Sequence, residues 1–379
     1  MLAALFGYGG LAGWQTAAAE AVEAAKDDKA PELKSASPKL ARYNTKLYPV
    51  DIDGKWGFID SAGKLVVAAQ YEAAHVFCEG LATVKTNGKY GYIDENNKMV
   101  IAPQFRWTLG FREGLAWVDD IQSRSGFSGF IDRSGTLLFS PPPEYRAADG
   151  FREGLAVACP PMIDRDDQTE TKWGFINRTG AWEIKPRFEY AWGFEEGLAA
   201  VKENGKWGFI NNHGEYVLAP KYDSACYFSE GVAKVKLNGK DIFIGPDGAK
   251  LFDKEYEEAG VFSEGLASVK IDGKWGFIDK TGALVIKPAY DDVSSFMNGL
   301  ASIKLNGKYG FIDQQGEVIV PPTYGYAHFF LGELAQVTFH PERGDGSWLG
   351  YVNRSGKVVW EPKPPDYAPN AEPSTKKSH

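Results

Sequence analysis

The chain repeats one short phrase along most of its length. Residues 54–60 read Gly-Lys-Trp-Gly-Phe-Ile-Asp, and the two central glycines Gly57 and Gly91 are 34 residues apart. The full set of nine copies is centred on Gly57, Gly91, Gly129, Gly174, Gly208, Ile242, Gly276, Gly310 and Gly350. Self-similarity at this period indicates a tandem array, in which each repeat is one supersecondary unit.

Each unit contains three short apolar segments separated by turn sequences. In the seventh unit, Asp272-Gly273 separates the first segment from the second, and Thr281-Gly282 separates the second from the third. Short segments rich in β-branched and aromatic residues around Asn-Gly or Asp-Gly predict β-hairpins, because both central turn residues need positive φ. The sequence therefore predicts an all-β tandem repeat of nine three-stranded antiparallel meanders.

The apolar pattern predicts that units stack on both faces. Side chains alternate along a strand, so Trp275 and Phe277 share one face while Gly276 and Ile278 share the other. A small sheet with two apolar faces needs neighbours on both sides. We expect the recurring glycine to let a neighbouring aromatic ring approach the backbone. The residues given this structural role are Trp56, Gly57, Gly91, Trp173, Gly174, Trp207, Gly208, Trp275, Gly276 and Gly310.

Two arrangements of the units are compatible with this pattern. Nine units exceed the usual four to eight blades of a propeller. No unit is divided between the two ends, since the first begins with its own leading strand at 47–51 and the last ends with its own third strand at 357–360. These observations favour an open curved β array, with a closed β-propeller-like ring as the alternative.

The repeated phrase resembles a known family. Together with Gly-x-Val-Ile-x-Pro-x-Tyr-Asp and Phe-Ser-Glu-Gly-Leu-Ala-x-Val, it is similar to the bacterial WG repeat, named for tryptophan-glycine, over roughly residues 45–362. The resemblance implies a β-rich repeat with no shared catalytic residues. Ser128, Asp241 and Leu349 depart from the pattern at the tryptophan position and Ile242 departs at the glycine position. We expect these units to stack less well.

The two ends differ in composition from the array. Residues 1–21 begin with an apolar, uncharged stretch and end in a small-residue pattern, which predicts a secretory signal-like segment that lacks a basic start. We assign 22–45 to a polar linker, 46–362 to the array and 363–379 to a disordered tail rich in Pro, Lys and Ser. The predicted location is periplasmic or secreted, without a stable membrane span.

Charge and motifs argue against several function classes. The net charge is −8 with acids and bases interspersed, so no basic stripe predicts a nucleic-acid partner. The recurring Glu-Gly pairs are predicted to be structural, because an acid before a turn glycine accepts backbone hydrogen bonds. His75 and His328 share a unit position, which we interpret as a variable position and not a metal site. No catalytic residue, cofactor or metal ligand is predicted, and the chain is not expected to be an enzyme.

Two departures from the repeat indicate a candidate binding surface. The hairpin between strands one and two is enlarged at 119–128, 159–172 and 338–348. Insertions at one point of a repeat project from one edge, where binding faces are common. In addition, the segments linking units hold aromatic residues at variable positions. The candidate surface residues are Trp107, Tyr190, Trp192, Tyr227, Tyr326 and Phe329 in linking segments, and Asp166, Asp167, Arg343 and Trp348 in enlarged hairpins.

These features predict a non-catalytic scaffold that binds a protein partner at the bacterial envelope or exterior. The alternative is a module that binds a glycan or cell-wall polysaccharide, because exposed aromatic rings stack on sugars as well as anchor proteins.

Overall fold

A computed structural model describes residues 46–120, 128–140, 146–147, 150–159, 172–339 and 348–361. The predicted signal-like segment, the linker and the tail lie outside the described residues. So do Asp166, Asp167 and Arg343 of the candidate surface. Throughout the part that is described, the regular secondary structure is β-strand.

The strands fall into nine successive units, numbered 1 to 9. Units 1 to 3 contain β1 (Tyr48–Ile52), β2 (Lys55–Ile59), β3 (Leu65–Tyr71), β4 (Ala73–Ala74), β5 (Leu81–Thr86), β6 (Lys89–Asp94), β7 (Met99–Thr108), β8 (Ala116–Asp120), β9 (Ser128–Ile131) and β10 (Leu137–Phe139). Units 4 to 6 contain β11 (Arg146–Ala147), β12 (Leu155–Cys159), β13 (Trp173–Asn177), β14 (Trp182–Phe188), β15 (Tyr190–Ala191), β16 (Ala199–Glu203), β17 (Lys206–Ile210), β18 (Tyr216–Tyr222), β19 (Ser224–Ser229), β20 (Val232–Leu237) and β21 (Lys240–Ile244). Units 7 to 9 contain β22 (Leu266–Ile271), β23 (Lys274–Asp279), β24 (Leu284–Tyr290), β25 (Asp292–Val293), β26 (Leu300–Leu305), β27 (Lys308–Asp313), β28 (Val318–Tyr324), β29 (Tyr326–Leu331), β30 (Leu334–Phe339), β31 (Trp348–Asn353) and β32 (Val358–Trp360).

Unit 7 shows the meander that the sequence predicts. Strand β22 pairs antiparallel with β23, and β23 pairs antiparallel with β24. The turn between the first two has φ 51° at Asp272 and 75° at Gly273, as its type requires. In most units a short linking strand before strand one adds a fourth strand to the sheet, as β25 does beside β26. The predicted all-β tandem array is therefore confirmed.

The recurring glycine accommodates a bulge of its own unit. Trp275 pairs with Tyr290, yet Phe277 two residues on pairs with Ile286, so the third strand carries extra residues opposite Gly276. A Cβ on Gly276 would lie 2.5 Å from the carbonyl oxygen of Ile286. The same clash would occur at Gly57, Gly91, Gly174, Gly208 and Gly310. The expectation that a neighbouring aromatic ring approaches this glycine is thus wrong, because the bulged third strand fills that space.

The hydrophobic core lies between successive units. One cluster joins Phe277 and Ile286 of unit 7 to Phe296 and Ile303 of unit 8. Phe277 is fully buried, whereas Trp275 is half-buried and packs at the margin of the same cluster. Because each sheet contributes to a cluster on both sides, the predicted two-sided stacking is confirmed.

The first and last units are in contact. The rings of Tyr48 and Tyr351 have centroids 5.7 Å apart, and both belong to one buried cluster with Val50 and Leu334. The backbone N–H of Glu333 donates to the Tyr48 hydroxyl at 3.0 Å. We call these residues the seam. No strand pair crosses it among the described residues, so the array is open in its strand pairing while its ends meet through side chains.

A repeated packing contact also occurs at the seam. In successive units the glycine of the turn between strands two and three lies against the third strand of the preceding unit, as Gly316 does against Ile286. A Cβ on Gly63 of unit 1 would clash with the carbonyl oxygen of Val359 in unit 9. Unit 1 therefore follows unit 9 as any unit follows its predecessor. The predicted open array is thus confirmed in its strand pairing, and its first and last units are in contact through side chains.

Unit 6 departs most from the common meander. Ile242, only 1% exposed, stands in the glycine position, and its side chain packs in the core cluster between units 5 and 6. Only isolated bridges, Asp241 to Tyr256 and Ile244 to Lys250, join its second strand to the segment that follows. Unit 6 thus combines an isoleucine in the glycine position with the lack of a regular third strand, and Ile242 itself lies in the core.

Candidate functional site

The two ends of the sheets carry different features. The hairpins between strands one and two lie at one end, which we call the hairpin end. The Glu-Gly turns before strand one and the turns between strands two and three lie at the other, which we call the turn end. This follows from the antiparallel pairing, in which alternate connections lie at opposite ends of a sheet.

At the turn end, the recurring glutamates link one unit to the next. The Glu113 carboxylate accepts the backbone N–H groups of Glu153 at 2.6 Å and Gly154 at 3.1 Å, and Arg178 also donates to it at 2.9 Å. Equivalent bonds join Glu79 to Glu113 and Gly114, Glu153 to Gly197, Glu196 to Glu230 and Gly231, Glu230 to Gly265, and Glu264 to Gly299. The predicted structural role is confirmed, and the partners are in the following unit.

The hairpin end carries the roots of all three enlarged hairpins. Asp119 pairs with Ser128 in unit 3 and Phe339 pairs with Trp348 in unit 9. In unit 4, Ala158 pairs with Gly174. The enlargements therefore leave the sheets at the same point of the unit, as predicted. The residues between these roots lie outside the described part of the chain.

Two exposed aromatic side chains stand directly beside two of these roots. Trp107 and Tyr326, each 47% exposed, occupy the same position in units 3 and 9. Trp107 pairs across the sheet with Asp119, and Tyr326 pairs with Thr338. Asp119 is the last paired residue before its enlarged hairpin, and Thr338 is one residue before Phe339, the last paired residue of the other. The sheet register therefore places each aromatic residue close to the root of an enlarged hairpin.

Four half-buried aromatic rings form a cluster near the third root. Tyr190 lies 4.3 Å from Trp173 of the preceding unit and 5.3 Å from Trp192, measured between ring centroids. Trp207 completes the group at 5.7 Å from Tyr190 and 6.4 Å from Trp192. Burial, with a smaller effect of Cys159 at the hairpin root, raises the pKa of Tyr190. We call these four residues the aromatic cluster.

The aromatic cluster includes residues that the sequence did not assign to a surface. Trp173 and Trp207 are repeat tryptophans, predicted to be structural, but they remain half-buried at the margin of the core. The signal that points to them is the aromatic residue in the neighbouring linking segment, since Tyr190 contacts both.

The other candidate residues lie elsewhere. Tyr227 and Phe329 are half-buried at irregular positions inside their linking strands, away from the hairpin roots. Burial raises the pKa of Tyr227. Trp348 opens strand β31 opposite Phe339 at a hairpin root.

The sequence profile of the WG containing repeat matches this chain eight times. The matched residues are 56–90, 90–119, 129–159, 173–207, 207–240, 243–275, 275–309 and 309–339. These matches cover more than half of the chain. The chain belongs to the WG-repeat family. No curated protein sequence matches it significantly.

Solved structures align with the WG-repeat array at different TM-scores. A structure titled "Crystal structure of the eukaryotic initiation factor" aligns with a TM-score of 0.57 at 12% identity, over 84% of this chain and 96% of that one. Kluyveromyces lactis Hsv2 aligns with a TM-score of 0.38 at 9% identity, over 72% and 94% of the two chains. Apo AztD from Citrobacter koseri gives 0.36 at 11% identity, over 72% and 92%. Only the first likeness is close enough to indicate a shared fold.

The two histidines singled out by the sequence are structural neighbours of aromatic rings. His75 stacks on Tyr90 at 6.2 Å, and His328 meets Tyr326 edge-on at 4.9 Å. Burial lowers the pKa of both imidazoles. Across the described segments of the WG-repeat array, no group of three or more His, Cys, Asp or Glu residues is placed to hold a metal ion. No helix among the described residues is long and apolar enough to span a membrane.

Proposed function

We propose that this WG-repeat protein is a non-catalytic scaffold that binds a protein partner with its hairpin end. One observation carries the proposal: the exposed rings of Trp107 and Tyr326 each stand beside the root of an enlarged hairpin. Large aromatic side chains are the commonest anchors of protein interfaces, and loops on a rigid scaffold commonly supply the surrounding contacts.

The turn end is less suited to a partner. Its backbone donors are already used between units, as at Glu153 and Gly154, whose N–H groups are bound by Glu113. A partner at that end would compete with bonds that hold the array together. The hairpin end has variable loops and exposed aromatic rings, and a partner bound there would not compete with the bonds between units.

The residues repeated in most units support a non-catalytic role. The glycine admits a bulge and the glutamate links two units, so both have a structural task. The signal-like composition of residues 1–21 supports action at the cell envelope or exterior, where such segments direct proteins.

A pull-down from envelope extract tests the protein-partner proposal. Trp107→Ala and Tyr326→Ala in the full chain should reduce recovery of the partner by at least tenfold, since hot-spot aromatics contribute about 2 kcal/mol or more. Val217→Ala is the matched control, because Val217 is also exposed, at 45%, but lies on a third strand. Equal recovery with all variants would refute a role for these rings.

The aromatic cluster favours a second candidate function, glycan binding. Its four rings form a continuous half-exposed surface across units 4 and 5, flanked by Lys202 and Glu189, whose charged groups lie 4.0 Å apart. Sugars bind where an aromatic platform is bordered by polar groups. Pelleting with isolated cell-wall polysaccharide tests it: Trp192→Ala should abolish retention and Trp107→Ala should not. Failure of every polysaccharide to retain the wild-type chain would exclude this function.

A further inference from the structure

Arg354 is a buried arginine with an incomplete set of partners. The residue is 6% exposed, and its Nε and Nη1 atoms have no hydrogen-bond partner. Its guanidinium carbon lies 5.9 Å from the ring centroid of Phe330. An unpaired charged group is costly to bury, so this arrangement calls for a partner.

The equivalent arginine of unit 4 shows which partner is missing. Arg178 follows the asparagine that ends its second strand, as Arg354 does, and its guanidinium carbon lies 5.7 Å from the ring of Phe151. Arg178 Nη2 donates to both the carboxylate and the carbonyl of Glu113, each at 2.9 Å. Lys280 binds Glu230 of its preceding unit in the same way, at 3.2 Å to the carboxylate and 3.0 Å to the carbonyl.

Before Arg354, the glutamate is replaced by an asparagine. Asn298 has φ 54° and precedes a glycine, as the turn glutamates do. The side-chain Nδ2 of Asn298 donates to the backbone carbonyl of Phe330 at 2.9 Å. A Cβ on Gly299 would lie 3.4 Å from Arg354 Nη2, so the guanidinium rests against this turn. The interface between units 8 and 9 thus keeps the cation and lacks the carboxylate.

Nearby acids do not replace that carboxylate. Within the described part of the chain, no carboxylate oxygen lies within 4.0 Å of an Arg354 nitrogen. Burial is the main influence on Arg354 and lowers its pKa, while Glu333 and Glu264 act at longer range to raise it. The Glu264 carboxylate is already bound by the Gly299 N–H at 2.8 Å and lies 3.4 Å from Gln314 Nε2.

We propose that the interface of units 8 and 9 binds a small oxyanion, a carboxylate or a phosphate, in the place of the missing glutamate carboxylate. Arg354 is its main ligand, and the half-exposed Asn298 turn gives access. The site is at the turn end and does not depend on the function proposed for the hairpin end. Because Glu264 and Glu333 offset part of the positive charge, binding is weak and falls with added salt.

Thermal unfolding of the full chain at constant ionic strength tests the site. Acetate or phosphate in exchange for chloride should raise the Tm of the wild type by about 2–4 °C at a tenfold excess over Kd. The acetate and phosphate arms distinguish the two oxyanions. Asn298→Glu should raise the Tm without any anion and remove the response, because the carboxylate is then part of the chain.

Two further variants keep the test decisive. Arg354→Met should lose the response to anion, and Arg178→Met should keep it, because Arg178 already binds Glu113. The proposal is overturned if neither anion raises the wild-type Tm, or if Asn298→Glu responds to anion as strongly as the wild type. If Arg354→Met does not fold, the comparison between the wild type and Asn298→Glu still decides the outcome.

Discussion

The hydroxyl of Tyr351 donates a 2.9 Å hydrogen bond to the carbonyl of Pro49, although the two residues are 302 positions apart in the chain. Tyr351 is buried, and this bond lies in the seam that joins unit 9 to unit 1. By comparison, the bond from Arg178 to Glu113, which joins the adjacent units 3 and 4, spans 65 positions. The seam is therefore the one place among the described residues where the two ends of the chain stabilise each other.

Removing this hydroxyl should destabilise the contact between the first and last units and, with it, the whole array. Tyr351→Phe leaves the Pro49 carbonyl buried without its donor, and we expect a loss of about 1–3 kcal/mol in the free energy of unfolding. Tyr309→Phe is the control, because the Tyr309 hydroxyl bonds to the exposed Asp292 at 3.2 Å and should contribute little. Urea unfolding measures the difference, and equal losses would argue against the seam bond.

Hydrogen exchange on the same variant distinguishes a ring from a stack. If the seam holds the ends together, Tyr351→Phe should reduce protection in β1 and β2 as well as in β30 and β31. A loss of protection confined to unit 9 would mean that the seam contributes no stability.

The bulge predicts an asymmetry between two glycines of unit 7. Gly276→Ala places a Cβ 2.5 Å from the Ile286 carbonyl oxygen, so the third strand must shift, which costs about 1–3 kcal/mol or more. Gly273→Ala meets nothing within 4 Å, and its cost of about 1–2 kcal/mol comes only from its φ of 75°. Amide exchange in β24 separates the two effects, because only Gly276→Ala should expose that strand.

Truncating a linking glutamate should loosen one interface between units. Glu113→Ala leaves the N–H groups of Glu153 and Gly154 without their acceptor, with an expected loss of about 1–3 kcal/mol. Asp253→Ala, at an exposed acid, is the matched control and should change stability by less than about 0.5 kcal/mol. Thermal unfolding of the two variants provides the comparison, and an unchanged Tm for Glu113→Ala would contradict the linking role.

The two half-buried histidines predict that stability falls in mild acid. Burial lowers the pKa of His75 and His328 in the folded state, while a histidine in the unfolded chain has a pKa of about 6.5. The unfolded state then binds more protons, so the free energy of unfolding decreases as pH falls below about 6.5. His75→Leu, which copies Leu109 at this position of unit 3, should weaken that dependence, and His213→Ala at an exposed site should leave it unchanged. Urea titrations between pH 5 and 8 measure how the free energy of unfolding depends on pH.

Much of the fold can be predicted from the sequence because each repeat contains the same turn sequences and the same apolar pattern. Asp272-Gly273 dictates a hairpin, and the alternation around Phe277 dictates a two-sided core. The role of Gly276 was not predictable from alternation, since the bulge that fills its space comes from extra residues in a different strand. The contact between the first and last units depends on the small rotation between successive units, and no single repeat determines that rotation.

The candidate surface was predicted only in part. Trp107 and Tyr326 are exposed where the variable aromatic positions indicated. Tyr227 has the same sequence signature but is half-buried, because it lies in the irregular part of its linking strand. Trp173 and Trp207 join the surface through Tyr190, a contact between units that the period alone does not specify. The assignment of these residues to a binding surface stays a prediction.

The seam has an evolutionary consequence. An array with free ends can gain or lose a repeat by duplication or deletion, since a new unit only needs one compatible neighbour. Here an added tenth unit would lie between Tyr351 and Pro49 and break their hydrogen bond. With one unit fewer, the array would be too short for the two residues to meet in the same geometry. The contact between the first and last units can therefore form only with this number of repeats. Variation in this protein is therefore expected in the length of its hairpins and not in the number of its units.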